Sequence, residues 1–192
     1  MRRATMRAHI PPPRWWLRRL LPTAAAFLLL ACATGQAPPF AVVPQVDLAR
    51  YMGTWYEIAR LPMWFQRSCL RSQATYGLLA TGEVSVLNEC DTAGGGKESI
   101  RGRARAVDAK TNARIEVRFD SWFDVFIPSQ PQGNYWVLYL DEAYQNVIVG
   151  TPDRENLWIM ARTPVLDEAR YSELVAIARG LGFDTEKLVR RK

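Results

Sequence analysis

The chain has 192 residues, a formal charge of +6 and a pI near 9.5, a balance that taken alone points to nucleic acid or an acidic membrane surface. Six arginines within residues 1–31 (Arg2, Arg3, Arg7, Arg14, Arg18 and Arg19) account for the whole excess, leaving 19 basic against 19 acidic residues in the rest. No nucleic-acid partner is therefore expected. The single histidine, His9, lies in the same stretch, which excludes Ser-His-Asp and Cys-His catalysis from the remainder and leaves no zinc site to expect.

Residues 1–31 read as a secretory signal peptide: a basic start, then the apolar run LLPTAAAFLLLA from Leu20 to Ala31. Pro22 interrupts this run, and it falls short of the roughly 20 apolar residues of a membrane span. The run ends in LLAC, Leu29 to Cys32, which resembles the bacterial lipobox, with a small residue before a cysteine that becomes the lipidated N-terminus. The alternative is a signal peptide cleaved elsewhere, with Cys32 a passenger. Lipidation would anchor the chain stably, since more than one acyl chain is attached. With Ala33 next to Cys32, the lipoprotein resembles those sorted to the cell outer membrane, on its periplasmic face. Residues 32–45 then form a flexible tether with three prolines and no charge, reaching ~40 Å at ~3.1 Å per residue. The globular domain is expected over 46–192.

A first strand is expected over Gly53 to Ala59, followed by a long connection, RLPMWFQRSC, with room for a helical turn. RSQATYGL and EVSVLNEC flank the turn LATG as a hairpin. KESIRGRARAV alternates strictly, with Ile100, Gly102, Ala104 and Ala106 on one face and Arg101, Arg103 and Arg105 on the other. ARIEVRF does the same, setting Ile115, Val117 and Phe119 against Arg114, Glu116 and Arg118; the arginine stripe is then a solvated outer face on which Glu116 pairs with one or two arginines. NYWVLYL, NVIVGT and LWIMAR complete eight strands. After Pro164, Asp167 is a plausible N-cap, and Tyr171, Leu174, Val175, Ala178 and Leu181 recur at helical spacing until Gly180 or Gly182. The fold expected is all-β: an eight-stranded antiparallel up-and-down barrel with one C-terminal α-helix packed on it.

GTWYEIARLP on the first strand, YWVLYLDEAYQNVIVGTPDRENLW and the closing WIMARTP together resemble the lipocalins, specifically the bacterial outer-membrane lipocalins related to apolipoprotein D. The resemblance implies that Trp55 plugs the closed end of the barrel, that Arg162 lies across it, and that Gly53 lets the chain approach closely. The family's middle motif, Thr-Asp-Tyr, is matched only loosely by Asp141 and Tyr144, which argues against a receptor-type surface at that end. The resemblance further implies binding of a fatty acid or lysophospholipid, a role in the envelope under stress, and a homodimer.

Other chemistry is thin. Asp120 with Asp124, and Asp141 with Glu142, flank strand turns where acids are usually solvated, and the Gly94–Gly96 run precedes no helix that could hold a phosphate. A symmetric hairpin register places Cys69 directly opposite Cys90, which suits a disulfide in a secreted chain; the rival is a reactive Cys69 thiol. No catalytic residue, cofactor or metal is expected. The leading expectation is a non-enzymatic binder in which small wall residues (Gly102, Ala104, Ala106) leave room for an acyl chain against Ala104, Val117 and Phe119; Trp122, Phe123 and Phe126 of SWFDVFIP form either an apolar rim or membrane-touching lip, or a folded-over loop with its own small core. The alternatives are a lipid- or isoprenoid-modifying enzyme using Cys69, and a filled barrel that serves as an interaction module.

Overall fold

The computed structural model describes residues 41–121 and 129–191; the leader, Cys32, Trp122, Phe123 and Phe126 lie outside these residues. Helix α1 (Leu48–Tyr51) is capped by Asp47, whose carboxylate accepts from Arg50 N–H. Then follow β1 (Gly53–Arg60), a 3₁₀ turn at Trp64–Gln66, β2 (Cys69–Leu78), β3 (Val84–Thr92), β4 (Lys97–Ala106), β5 (Arg114–Phe119), β6 (Tyr135–Leu140), β7 (Asn146–Gly150), β8 (Leu157–Ala161), α2 (Glu168–Gly180) and a two-residue β9 (Val189–Arg190).

Every strand pairing is antiparallel, and each of β2 to β7 pairs with the next in sequence. β1 closes the ring by pairing with β8 on one side and β2 on the other. It carries a bulge between Glu57 and Ala59, past which β9 replaces β2 beside Ala59 and Arg60. The eight expected strands are all present, and the ends differ by a few residues.

Two cores result. Inside the barrel, Trp55, Ala74, Tyr76, Val84, Val86, Ala104, Ile115, Val137, Val149 and Met160 pack together with Val46 and Tyr51. Outside, Ile58, Leu138, Ile148, Ile159 and Ala161 meet Leu174, Ala178 and Phe183 from α2 and the turn after it. Coverage on both faces is why β7 is buried at all five positions and reads as an unbroken apolar run, whereas β4, covered on one face, alternates. Gly150 makes the docking possible: a Cβ there would lie 2.7 Å from the Phe183 ring. Asp167 caps α2 by accepting from Arg170 N–H, and Gly182, at φ +86°, follows its C-terminus.

Val42 and Val43, within the expected tether, pack against the core, and Val43 N–H donates to the Val137 carbonyl.

Candidate functional site

The chain enters the barrel base through Gly53, whose φ of +94° lies in the region glycine tolerates; an added Cβ would also press on Arg162 Nη1 at 3.3 Å. Two residues later Trp55 is fully buried, and its indole N–H donates to the Tyr51 carbonyl at the end of α1. The Arg162 guanidinium lies over the indole, 3.8 Å from the ring centroid, and donates to the carbonyls of Arg50, Tyr51, Thr54 and Tyr144. Its planar fork satisfies four acceptors where α1, β1, the β6–β7 turn and β8 converge, which a lysine could not do. Tyr144 joins the same end: its hydroxyl accepts from Asp47 N–H, and Arg50 stacks over its ring. Asp141 accepts from Gln145 N–H, Asn146 Nδ2 and Arg170 Nη2, tying the turn to α2.

Above Trp55 lies a feature that the sequence reading missed. Tyr51, Tyr76 and Tyr135 bring their hydroxyls together inside the barrel: Tyr51 to Tyr135 at 2.7 Å, Tyr76 to Tyr135 at 3.2 Å. Burial raises all three phenol pKa values, that of Tyr76 to about 12, so the hydroxyls are neutral donors. They border a cavity of about 20 Å3 completed by Leu48, Met52, Val84, Ala104, Ile115 and Val117. Ala104 and Val117 face each other across paired strands. Phe119 packs partly buried against the same cluster. The space beside Gly102, however, is occupied: a Cβ there would run into the Arg118 carbonyl and lie 3.0 Å from the Phe119 ring. Glycine at that position allows β4 and β5 to close together instead of opening a void. Tyr76 falls on the inward alternation of β2 with Ser72 and Ala74, and a buried tyrosine needs a hydroxyl partner; that was the available signal.

Toward the other end of β1 the inward side is polar. Glu57 and Arg60, both nearly inaccessible, form an ion pair at 2.7 Å. Gln66 Nε2 donates to Glu57 and to Ser72 Oγ, its Oε1 accepts from Trp158 Nε1, and Arg60 Nη2 donates to the carbonyls of Gln66 and Cys69. The network fastens the β1–β2 connection, which presents Trp64 and Phe65 to solvent at 80% and 50% exposure.

Cys69 and Cys90 are bridged by a disulfide, with Cα atoms 5.5 Å apart. They are not directly opposite as a symmetric register requires: Ser72 faces Cys90 and Cys69 faces Thr92, with a bulge between Cys69 and Arg71. The turn is the cause. Leu79 N–H bonds to the Glu83 carbonyl, so the hairpin centres on Thr81, and the bulge brings Cys69 back within reach. Oxidation leaves no thiolate for catalysis or for the nearby Glu98 to share in metal binding.

On the outer face Glu116 pairs with Arg105 at 2.7 Å and lies within 3.8 Å of Arg118, as the alternation suggests, but it is not solvated. Ser129 Oγ and Gln130 N–H also donate to it, covering the carboxylate. Burial acts to raise its pKa, and the hydrogen bonds from Ser129, Arg105 and Gln130 outweigh burial and lower it.

The family model described as Lipocalin-like domain matches residues 46–192. The chain is 42% identical to temperature-induced lipocalin-1 of Arabidopsis thaliana over 151 residues, 77% of this chain and 79% of that protein. It is 37% identical to outer membrane lipoprotein Blc of Escherichia coli K12 over 177 residues, 89% and 96% of the two chains. In structure it resembles insecticyanin of the tobacco hornworm, with a TM-score of 0.59 at 21% identity, covering 81% of this chain and 85% of that one. With a closed eight-stranded antiparallel barrel, a helix on its wall and the Trp55–Arg162 seam at its base, the chain belongs to the lipocalin family.

Proposed function

We propose that this lipocalin binds, stores or transports a hydrophobic ligand in the barrel, specifically one acyl chain of a fatty acid or lysophospholipid. The observation that carries the reading is the asymmetry of the interior. One end is closed by Trp55 and Arg162, an apolar wall of Val84, Ala104, Ile115 and Val117 follows, and a polar group of Glu57, Arg60, Gln66 and Ser72 lies toward the other end. A tail would lie against Ala104, Val117 and Phe119, with its head near the polar end. Trp122 and Phe123 are assigned to the rim on sequence grounds alone.

Kinship with Blc, an outer membrane lipoprotein by name, supports an envelope location. We assign the chain to the periplasmic face of the outer membrane, anchored through lipidated Cys32, with a homodimer as its expected assembly. Fractionation of Cys32→Ser should show release or an unprocessed precursor; unchanged outer-membrane recovery after processing would overturn the anchor.

A second reading, a filled barrel acting as an interaction module, is favoured by the cavity of only about 20 Å3. The enzymatic alternative through Cys69 loses its nucleophile to the disulfide. Two measurements separate the first two readings. Mass spectrometry of organic extracts from natively purified protein should find a lipid, and Ala104→Trp should weaken a fluorescent fatty acid by about tenfold, ~1.4 kcal/mol, while the barrel stays folded. Equal binding by the folded variant would transfer the argument to the filled barrel.

A further inference from the structure

We propose that the outer wall of the barrel carries a second ligand site, independent of the interior, for a phosphate monoester on a short apolar stem. The site is a groove between β9 and the segment joining β8 to α2, lined by Arg71, Arg190 and Arg191 together with Ile58, Val165 and Leu166.

The groove forms where β1 changes neighbours. Past the bulge between Glu57 and Ala59, β9 lies beside Ala59 and Arg60, and Arg191 N–H extends the pairing by donating to the Ile58 carbonyl at 2.8 Å. Arg191 is thereby brought to β2, where its Nη1 donates to the Ser72 carbonyl next to Arg71. The space enclosed is about 320 Å3, roughly ten water volumes, against about 20 Å3 for the cavity inside the barrel. Such a volume falls at the lower end of small-molecule pockets. Ile58 is buried, whereas Val165 is 77% exposed, so apolar surface remains for a ligand to cover.

Charge decides the class of head group. Asp91 is shared between Arg71 at 3.2 Å and Lys97 at 2.9 Å, and Glu168 pairs with Arg190 at 2.7 Å. Glu57 is engaged by Arg60, and Asp167 caps α2. Arg191 has no ion pair among the described residues; Glu57 and Asp91 attract it only from farther away. Burial and then the neighbouring charge of Arg71 lower its pKa, the mark of two guanidiniums held near each other without a shared anion. Four cations (Arg71, Lys97, Arg190 and Arg191) therefore meet two carboxylates (Asp91 and Glu168), an excess of two positive charges. A phosphate monoester carries about −1.5 to −2 at pH 7 and three acceptor oxygens, enough to bridge guanidiniums from β2 and the end of β9. A carboxylate brings one charge and two oxygens.

The experiment is calorimetric titration of the purified protein with octyl phosphate below its micellar concentration, beside octanoate and inorganic phosphate. Octyl phosphate should bind about tenfold more tightly than either, since octanoate lacks the second charge and inorganic phosphate lacks the stem. Two variants address the groove: Arg71→Gln removes a donor, and Val165→Asp places a carboxylate among the arginines at an exposed position that the fold does not depend on. Each should weaken octyl phosphate about tenfold and leave the binding of a fluorescent fatty acid in the barrel unchanged. Ala104→Trp should do the reverse. Octyl phosphate binding no tighter than inorganic phosphate or octanoate, or lost in Ala104→Trp and kept in both groove variants, would overturn the inference. A parent that binds octyl phosphate but no fluorescent fatty acid would remove the barrel as a ligand site and leave the groove standing.

Discussion

Arg162 and Trp55 meet at the Tyr51 carbonyl: the indole N–H and the guanidinium Nη2 both donate to that oxygen, at 2.9 and 3.1 Å, while the guanidinium plane covers the ring. The residue that plugs the barrel and the residue that covers it thus share one backbone acceptor. Arg162→Ala should cost ~2–4 kcal/mol, because four carbonyls lose a donor together with the cation–π contact. Arg162→Lys should recover only part of it. Urea denaturation measures both, and a double-mutant cycle with Trp55→Phe showing no coupling would contradict the contact.

Reduction of the Cys69–Cys90 bridge should lower stability by ~3 kcal/mol, as for a loop spanning 21 residues in the chain-entropy model. Denaturation of the Cys69→Ser, Cys90→Ser double variant against the oxidised parent gives the number. Two free thiols in protein recovered from an oxidising compartment would disprove the bridge.

The buried phenols predict an alkaline weakness. Their folded pKa values are raised above the unfolded 10.0 by burial, so the folded state retains protons that the unfolded chain releases. Stability is complete below pH 10.0 and should decline as pH rises toward about 12, where Tyr76 titrates in the fold. Tyr76→Phe should flatten that decline; an identical slope for parent and variant would show that the cluster is not the cause.

Glu116 predicts the opposite limb. Its pKa is lowered from 4.5 in the fold, so the stability it contributes is present above pH 4.5 and lost as pH falls through the folded value. In Glu116→Gln the acid-side dependence should be shallower by the share of one proton, measured by denaturation across that range.

Much of the fold was legible because one-sided strands write their environment into the chain: the alternation of Arg101, Gly102, Arg103, Ala104 and Arg105 gives both the strand and its inner face. The wall helix was readable from Asp167 and the spacing of Leu174 and Ala178. What escaped depended on partners remote in sequence. Helix α1 has four residues, too short for a periodicity, and is held by Asp47 and by Arg162 more than a hundred positions away. β9 has only two residues, and its pairing depends on the β1 bulge. The burial of Glu116 depends on Ser129 and Gln130 crossing the outer face, and the disulfide register on where a turn centres. At the candidate site the apolar wall could be read, but the meeting of three hydroxyls from α1, β2 and β6 could not, since adjacency across a barrel has no signature in any one strand.

The arrangement of β1 also has a kinetic meaning. Each of β2 to β8 can pair with a strand that it follows closely, whereas the β1–β8 seam and the contacts from Arg162 to Thr54 and Arg50 span 108 and 112 residues. Chain-closure entropy delays such contacts, so hairpins should assemble first and the ring should close last. Arg162→Ala should then show itself mainly as faster unfolding, with refolding nearly unchanged, a split visible in the two arms of a chevron plot. The base of the barrel acts as a latch, setting how long the closed ring persists more than how quickly it forms.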